Sequence, residues 1–120
     1  MAWKSCRDLI VWQKSMDLTD KVYSISKKLP KEEIHGLSSQ MRRAAVSIPS
    51  NIAEGHGRYT ENEFRSFLSI AHGSCMELET QLEICVRQKY LTDGEAEEIF
   101  ELLNEVSKML TAMIIKIKKK

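Results

Sequence analysis

Several hallmarks of other protein classes are missing from this chain of 120 residues. It has only two prolines and five glycines beside a hydrophobic fraction of 42%, so neither disorder nor a fibrous protein is expected. No apolar run reaches the roughly 20 residues of a membrane span, and the N-terminal stretch has no secretory signal pattern. The chain has three cysteines, Cys6, Cys75 and Cys85. Their odd number and the lack of CxxC spacing argue against a disulfide framework. We therefore expect a soluble, cytoplasmic, globular protein without a membrane partner.

The chain also lacks an excess of charge of either sign. Its 18 basic and 17 acidic residues leave a net charge of +1, so the molecule as a whole is not a polycation attracted to phosphate. Any contact with nucleic acid must then come from a local basic patch. The length fits a single domain, spanning 1–120, that is large enough to build a core.

Apolar residues recur at helical spacing in four segments, and no alternating run is long enough for a sheet. The first helix is predicted over 9–29 and ends there because Pro30 disfavours helical geometry in the residue before it. The second helix closes at Gly55 and Gly57. Its apolar row consists of Leu37, Met41, Ala44, Ile48 and Ile52.

Capping boxes predict where the third and fourth helices begin. Thr60 with Glu63, and Thr92 with Glu95, each place a hydroxyl three residues before a carboxylate, so each pair can satisfy free backbone N–H groups of a first turn. The third helix carries one apolar row. The fourth helix is apolar on more than one side, and its additional apolar residues are Phe100, Leu102, Met109 and Ile114.

Four helices with short connections predict an all-α fold, an antiparallel up-down-up-down four-helix bundle with a kinked second helix. The first and fourth helices are apolar over more than one face of such a bundle. Exposed apolar strips usually mark interfaces, so we expect a homo-oligomer. The alternative is that the additional rows only widen the core.

A stripe of polar and small residues runs beside the apolar row of the second helix and continues on the third. Antiparallel pairing around a turn near Thr60 sets Ser47 opposite Gly73, where a glycine inside a helix indicates a close approach of backbones. Arg43 falls opposite Glu77, and we hypothesise a partly buried ion pair that fixes the register; the alternative is a solvated charged face. The members of this structural polar stripe are Arg43, Ser47, Pro49, Asn51, Glu54, Gly73, Ser74 and Glu77.

Pro49 lies in the middle of the second helix. Because proline has no N–H group, it leaves the carbonyl of Ala45 without its helical partner. We expect a local kink at this position. Neighbouring polar groups such as Ser50 and Asn51 could satisfy the freed backbone atoms.

Three stretches, VWQKSMDL, LSSQMRRAAVSIPSNIAEGHGR and FLSIAHGSCMELETQLE, resemble the bacterial four-helix bundle family first known from reading frames inside intervening sequences of large-subunit ribosomal RNA genes. The likeness covers nearly the whole chain, and SIPSNIAEG is specific to that family. The resemblance implies a homopentamer and a relationship to the accessory variability determinant protein of diversity-generating retroelements, which associates with a reverse transcriptase and with nucleic acid. The residues matching the family motif are Arg42, Arg43, Ser47, Pro49, Asn51, Glu54, Gly55, Arg58, Gly73, Ser74, Glu77 and Glu79.

The sequence shows no constellation typical of an enzyme or a metal centre. Glu32 and His35 have the Glu-x-x-His spacing of di-iron bundles, but the spacing has no second copy, and an acidic residue there suits a helix start. GHGRYT follows a helix and lacks the third glycine of a dinucleotide fingerprint. Cys75 and Cys85 fall on the core row, and His72 has no acid or nucleophile at a defined spacing. We therefore expect no enzyme, no cofactor, no metal and no small-molecule substrate.

Basic residues of the second and fourth helices are the candidates for phosphate contact, although a frayed, solvated terminus also explains the lysine tail. Only Trp3 and Tyr59 are expected to be free to stack on unpaired bases. We favour a non-enzymatic homo-oligomeric scaffold or adaptor associated with RNA or an RNA-processing protein. The alternative is direct nucleic-acid binding through a basic surface of the oligomer. The candidate nucleic-acid contacts are Arg42, Arg43, Arg58, Lys116, Lys118, Lys119 and Lys120.

Overall fold

The computed structural model describes residues 5–118, with residue 118 described by its backbone only, and this part of the chain contains no strand. Two 3₁₀ turns, Cys6–Asp8 and Lys31–Glu33, precede the first and second helices. The helices are α1 (Ile10–Ser26), α2 (Leu37–His56), α3 (Glu61–Arg87) and α4 (Asp93–Lys118). Each helix packs against two neighbours, so the four enclose one core, and the predicted all-α four-helix fold is confirmed.

Along each pair of neighbouring helices, the residue numbers of the contacting side chains rise on one helix and fall on the other, as in an antiparallel bundle. On α2 and α3, Ser74 Oγ donates to Ser47 Oγ at 2.8 Å, whereas Cys85 contacts Met41 nearer the other end. On α1 and α4, Lys14 pairs with Glu105 and Lys21 pairs with Glu98. The Ser47–Ser74 contact lies within one residue of the predicted register.

Local hydrogen bonds set the starts of the helices as the capping boxes predicted. The Thr60 hydroxyl accepts from the backbone N–H of Glu63 at 3.1 Å. Thr92 and Glu95 bond reciprocally, each side chain accepting from the other's backbone N–H. At its C-terminal end, α1 stops at Ser26, three residues before the predicted end, because the chain turns before Pro30.

The core explains why the fourth helix carries so many apolar residues. Phe100, Leu102, Met109 and Ile114 are all partly buried against the core, so these rows widen the core and do not form an exposed strip. For these four residues the alternative therefore holds, that the additional rows widen the core. Exposed large apolar side chains are found on all four helices. They are Ile10, Met16 and Tyr23 on α1, Val46 on α2, Ile70, Met76, Ile84 and Val86 on α3, and Ile115 on α4.

Pro49 is buried inside α2, and the carbonyl that it leaves free is satisfied by another helix. The Thr19 hydroxyl on α1 donates to the Ala45 carbonyl at 3.2 Å, and to its own helix at the Ser15 carbonyl at 2.8 Å. Asn51 donates to the Ser47 carbonyl, so it does not serve Ala45 as expected. The cost of proline is thus offset by a contact between α1 and α2. The kink stays a prediction.

The close approach between α2 and α3 lies at a different glycine from the one predicted. A Cβ atom on Gly73 would meet nothing within 4 Å, so the predicted close approach at Gly73 is wrong. A Cβ atom on Gly55 would lie 2.7 Å from Cβ of Phe67 and 2.9 Å from Cδ1 of Phe64. The close approach of α2 and α3 therefore lies at Gly55, where two phenylalanines of α3 pack directly on the α2 backbone.

Gly73→Ala is expected to stabilise the protein by about 0.5–1 kcal/mol. Glycine is less favourable than alanine inside a helix by roughly this amount, and the added methyl group at Gly73 enters open space. Urea denaturation of the full chain at one protein concentration measures the change. A loss of stability would contradict the open surroundings of Gly73.

Candidate functional site

The side chains at the centre of the polar stripe between α2 and α3 hydrogen-bond to one another. Ser47 Oγ accepts from Ser74 Oγ at 2.8 Å and from Asn51 Nδ2 at 2.9 Å, and Asn51 Nδ2 also donates to the Ser47 carbonyl at 2.7 Å. Ser47 and Asn51 are partly buried, and Ser74 is buried. The centre of the stripe therefore holds the helices together and offers few free polar groups to a ligand.

The hypothesised ion pair between Arg43 and Glu77 is wrong. Within residues 5–117 these two side chains form no salt bridge with each other, and both are exposed. Glu77 instead contacts Gln81 on its own helix, at 3.5 Å. Glu54 pairs with Arg58, which follows the end of α2, at 2.9 Å. Arg43 faces away from Glu77, toward the groove that α2 forms with α1.

A basic depression lies in that groove, with a volume of about 310 Å³. The Arg42 guanidinium sits 5.0 Å from the centre of the Tyr23 ring, and Arg42 Nε donates to Ser26 Oγ at 2.8 Å. Arg43 is exposed and has no ion-pair partner among the described residues. We define the basic depression by its lining residues, Tyr23, Arg42, Arg43, Val46 and Ser47.

An acidic groove of about 590 Å³ lies between α1 and α4, on the other side of α1. Lys14 pairs with Glu105 and Lys21 pairs with Glu98. Three further carboxylates, those of Asp17, Asp20 and Glu101, have no ion-pair partner within residues 5–117. The lining residues are Asp17, Asp20, Lys21, Glu98, Glu101, Leu102 and Glu105. Sequence reasoning missed this groove because its two halves are about 80 positions apart.

A third surface, the bundle-end pocket, has a volume of about 440 Å³ and lies where the α2–α3 turn meets the end of α4. Its interior includes His56, whose ring packs edge-on against Phe64 with 6.1 Å between centroids. The Nε2 atom of His56 is buried and has no hydrogen-bond partner. Tyr59, at the mouth, is fully exposed. The lining residues are Gly55, His56, Arg58, Tyr59, Thr60, Glu61, Phe64, Met113, Lys116 and Ile117.

The structure divides the candidate nucleic-acid contacts between two of these surfaces. Arg42 and Arg43 line the basic depression, whereas Arg58 and Lys116 line the bundle-end pocket. The two groups are separated by about 20 Å along α2, at about 1.5 Å per residue, so the described side chains of one copy form no continuous basic patch. The side chain of Lys118, and all of Lys119, Lys120 and Trp3, lie outside the described residues.

Groups that could act as nucleophiles are embedded in the packing. Burial, and secondarily the charge of Glu79, raises the pKa of the Cys75 thiol to about 12, so this thiol stays protonated at neutral pH. Burial likewise raises the pKa of Cys85 to about 11. Sequence spacing did not reveal that His72 Nε2 lies 3.2 Å from Ser107 Oγ across α3 and α4. None of the pockets described above includes this pair.

The described residues contain no group of three or more histidine, cysteine or carboxylate side chains that could hold a metal ion. Glu32 and His35 are both exposed and lie ahead of α2, Glu32 in the 3₁₀ turn. None of the described helices combines the length and the apolar character needed to cross a membrane.

The fold and these surfaces define a four-helix bundle with two charged grooves and one largely apolar pocket on its surface. Residues 7–112 match the family model described as 23S rRNA-intervening sequence protein, so the chain belongs to that family. It is similar to a crystal structure from Bacteroides thetaiotaomicron, described as a protein with unknown function from the S23 ribosomal protein family. The two share 28% identity with a TM-score of 0.82, over 88% of this chain and 98% of the other. The comparison with curated proteins finds no match.

The family prediction is therefore confirmed. The relationship to the accessory determinant of retroelements stays a prediction.

Proposed function

We propose that the protein is a non-enzymatic, self-assembling scaffold in which the basic depression of one copy binds the acidic groove of the next. The observation that supports this proposal is that one bundle carries two grooves of opposite charge on either side of α1. Arg43 on one groove, and Asp17, Asp20 and Glu101 on the other, have no ion-pair partner within the described part of a single copy.

Apolar groups accompany the charges on both grooves. Tyr23 and Val46 are 38% and 40% exposed at the basic depression, and Leu102 lies within the acidic groove. A contact between the grooves would bury these apolar groups at its centre, where they contribute most of the free energy of association. The charges around them would select the partner surface and speed the encounter.

The geometry of such a contact allows a closed ring, which is the form that we propose. Because the two grooves are different surfaces, the contact is heterologous, and successive copies are related by a rotation that either closes into a ring or continues as a filament. The number five comes from the family resemblance and is part of the proposal. The protein is a member of the 23S rRNA-intervening sequence family. We therefore propose that the ring is cytoplasmic and acts as an adaptor beside RNA or an RNA-processing protein.

Arg43→Glu is expected to raise the protein concentration needed for assembly by at least about tenfold, because it brings like charges together in the contact. Multi-angle light scattering after size-exclusion chromatography measures the mass of the assembly. The double variant Arg43→Glu with Glu101→Lys is expected to restore assembly, since it restores opposite charges. Lys108→Glu is the matched control, because Lys108 is exposed on α4 and lines neither groove.

Two results would reject this contact. A monomeric wild-type protein at micromolar concentration would remove the assembly altogether. Equal assembly of the wild type and Arg43→Glu would leave a ring but place its interface elsewhere.

A further inference from the structure

We propose that the bundle-end pocket binds a nucleotide, with the base inside the pocket and the phosphate at Arg58 and Lys116. The site is formed within one copy, so it does not depend on the assembly proposed above. Its volume of about 440 Å³ falls within the ~300–1,000 Å³ typical of ligand pockets. Most of its interior surface is contributed by apolar side chains, including Phe64, Met113 and Ile117.

His56 lines the pocket and has a ring nitrogen without a protein partner, which favours a ligand that carries a hydrogen-bonding group. Nε2 has no partner in the protein, although nearly all buried polar atoms in native structures are hydrogen-bonded. An acyl chain or another purely apolar ligand would leave this atom unpartnered. The edge of a nucleobase offers both donors and acceptors, in a ring flat enough to lie against Phe64.

The mouth of the pocket combines a stacking surface with two cations. Tyr59 is fully exposed and can cover a base from the solvent side, as aromatic residues do in proteins that bind single strands. Lys116 lines the same pocket as Arg58. Arg58 pairs with Glu54 at 2.9 Å and lies 4.9 Å from the centre of the Phe67 ring. This fixes its position, while its remaining N–H groups can bind a phosphate.

One carboxylate, that of Glu61, also lines the pocket. Because Arg58 already pairs with Glu54, the charges of Arg58 and Lys116 are balanced by those of Glu54 and Glu61. The net charge of the pocket therefore does not select the ligand, and a phosphate would be bound by hydrogen bonds from the two cations. An adenine nucleotide is the natural first probe, whether it is free or an unpaired residue of an RNA strand.

Titration of the isotope-labelled full chain with adenosine 5′-monophosphate tests the site by NMR. Saturable shifts are expected for the backbone amides of residues 55–60 and 113–117. Adenosine and ribose 5-phosphate, each lacking one half of the ligand, are expected to bind more weakly. A short oligoadenylate distinguishes the source of the nucleotide. Binding at least about tenfold tighter than the mononucleotide indicates RNA, and equal affinity indicates a free nucleotide.

Three variants test the assigned contacts. Tyr59→Ala and His56→Leu are each expected to weaken binding of the mononucleotide about tenfold. Lys116→Gln is expected to weaken it about fivefold and to make binding less sensitive to salt. Lys108→Gln is the matched control on α4. Arg43→Glu is expected to bind normally, because the pocket is complete in one copy.

The proposal is overturned if no nucleotide at millimolar concentration shifts these amides. It is also overturned if decanoate alone shifts them, or if His56→Leu tightens binding, since both results indicate an apolar ligand. Unchanged affinity in Tyr59→Ala and Lys116→Gln together would place the nucleotide elsewhere.

Discussion

Gly55→Ala is expected to lower the free energy of unfolding by about 2 kcal/mol and the melting temperature by about 8 °C. The added methyl group would lie 2.7 Å from Cβ of Phe67, an atom attached directly to the α3 backbone, so that only a shift of the helix can relieve the clash. The Phe64 carbonyl at 3.2 Å restricts movement from a second direction. Overpacking of this kind costs about 1–3 kcal/mol, which exceeds the gain from helix propensity.

Gly73→Ala is the matched control for this prediction, because it makes the same chemical change inside a neighbouring helix where the methyl group meets no atom. The two substitutions are therefore expected to change stability in opposite directions when measured by thermal unfolding. If both stabilise the protein, the approach of α2 to α3 at Gly55 is looser than these distances indicate.

The segment most specific to the family has a structural explanation in these contacts. Ser47 accepts from Asn51 and from Ser74, Pro49 leaves a carbonyl that α1 satisfies, and Gly55 admits the phenylalanines of α3. Each of these residues therefore serves the packing of α2 against a neighbour. The surfaces that remain available for binding lie beside this segment, in the grooves and at the bundle end.

Much of the fold follows from short-range patterns in the sequence. The apolar rows and the two capping boxes predict the helices because both depend on residues at most four positions apart. The register between α2 and α3 follows within one residue from the position of the turn, as the Ser47–Ser74 hydrogen bond shows. A helical bundle with short connections leaves few other arrangements.

The parts that the sequence does not predict depend on how side chains are oriented across distant elements. Gly55 and Gly73 look alike in the sequence, and only the packing shows which of them faces a neighbour. The long side chain of Arg43 can extend from α2 toward α3 or toward α1. The antiparallel register alone therefore does not predict which residue it contacts. The acidic groove joins residues 17–21 to 98–105, and the bundle-end pocket joins residues 55–64 to 113–117, so no local pattern in the sequence predicts either surface.

Thr19→Val is expected to lower the free energy of unfolding by about 2 kcal/mol. Valine keeps the shape of threonine but removes the hydroxyl that donates to the buried Ala45 carbonyl at 3.2 Å. Pro49 cannot supply the missing N–H group, so the carbonyl would be left unpartnered in the core, at a cost of about 1–3 kcal/mol. Urea denaturation at one protein concentration, which keeps the contribution of assembly constant, measures the change.

Thr80→Val is the matched control, because the Thr80 hydroxyl makes the same type of bond to a carbonyl four residues earlier, at 3.1 Å, but on an exposed surface. There water can replace the hydroxyl, and the expected change is within about 0.5 kcal/mol. An equal loss in both variants would indicate that helix propensity, and not the buried carbonyl, explains the effect at Thr19.

A double-mutant cycle connects Thr19 to the proline directly. Pro49→Ala restores an N–H group that can bond to the Ala45 carbonyl within α2, so this carbonyl gains a backbone donor in addition to the hydroxyl of Thr19. In the Pro49→Ala background, Thr19→Val is therefore expected to cost about 1 kcal/mol less than in the wild type. Equal costs in the two backgrounds would show that Thr19 stabilises the protein independently of Pro49. A coupling of the expected sign would show that α1 compensates for the proline of α2.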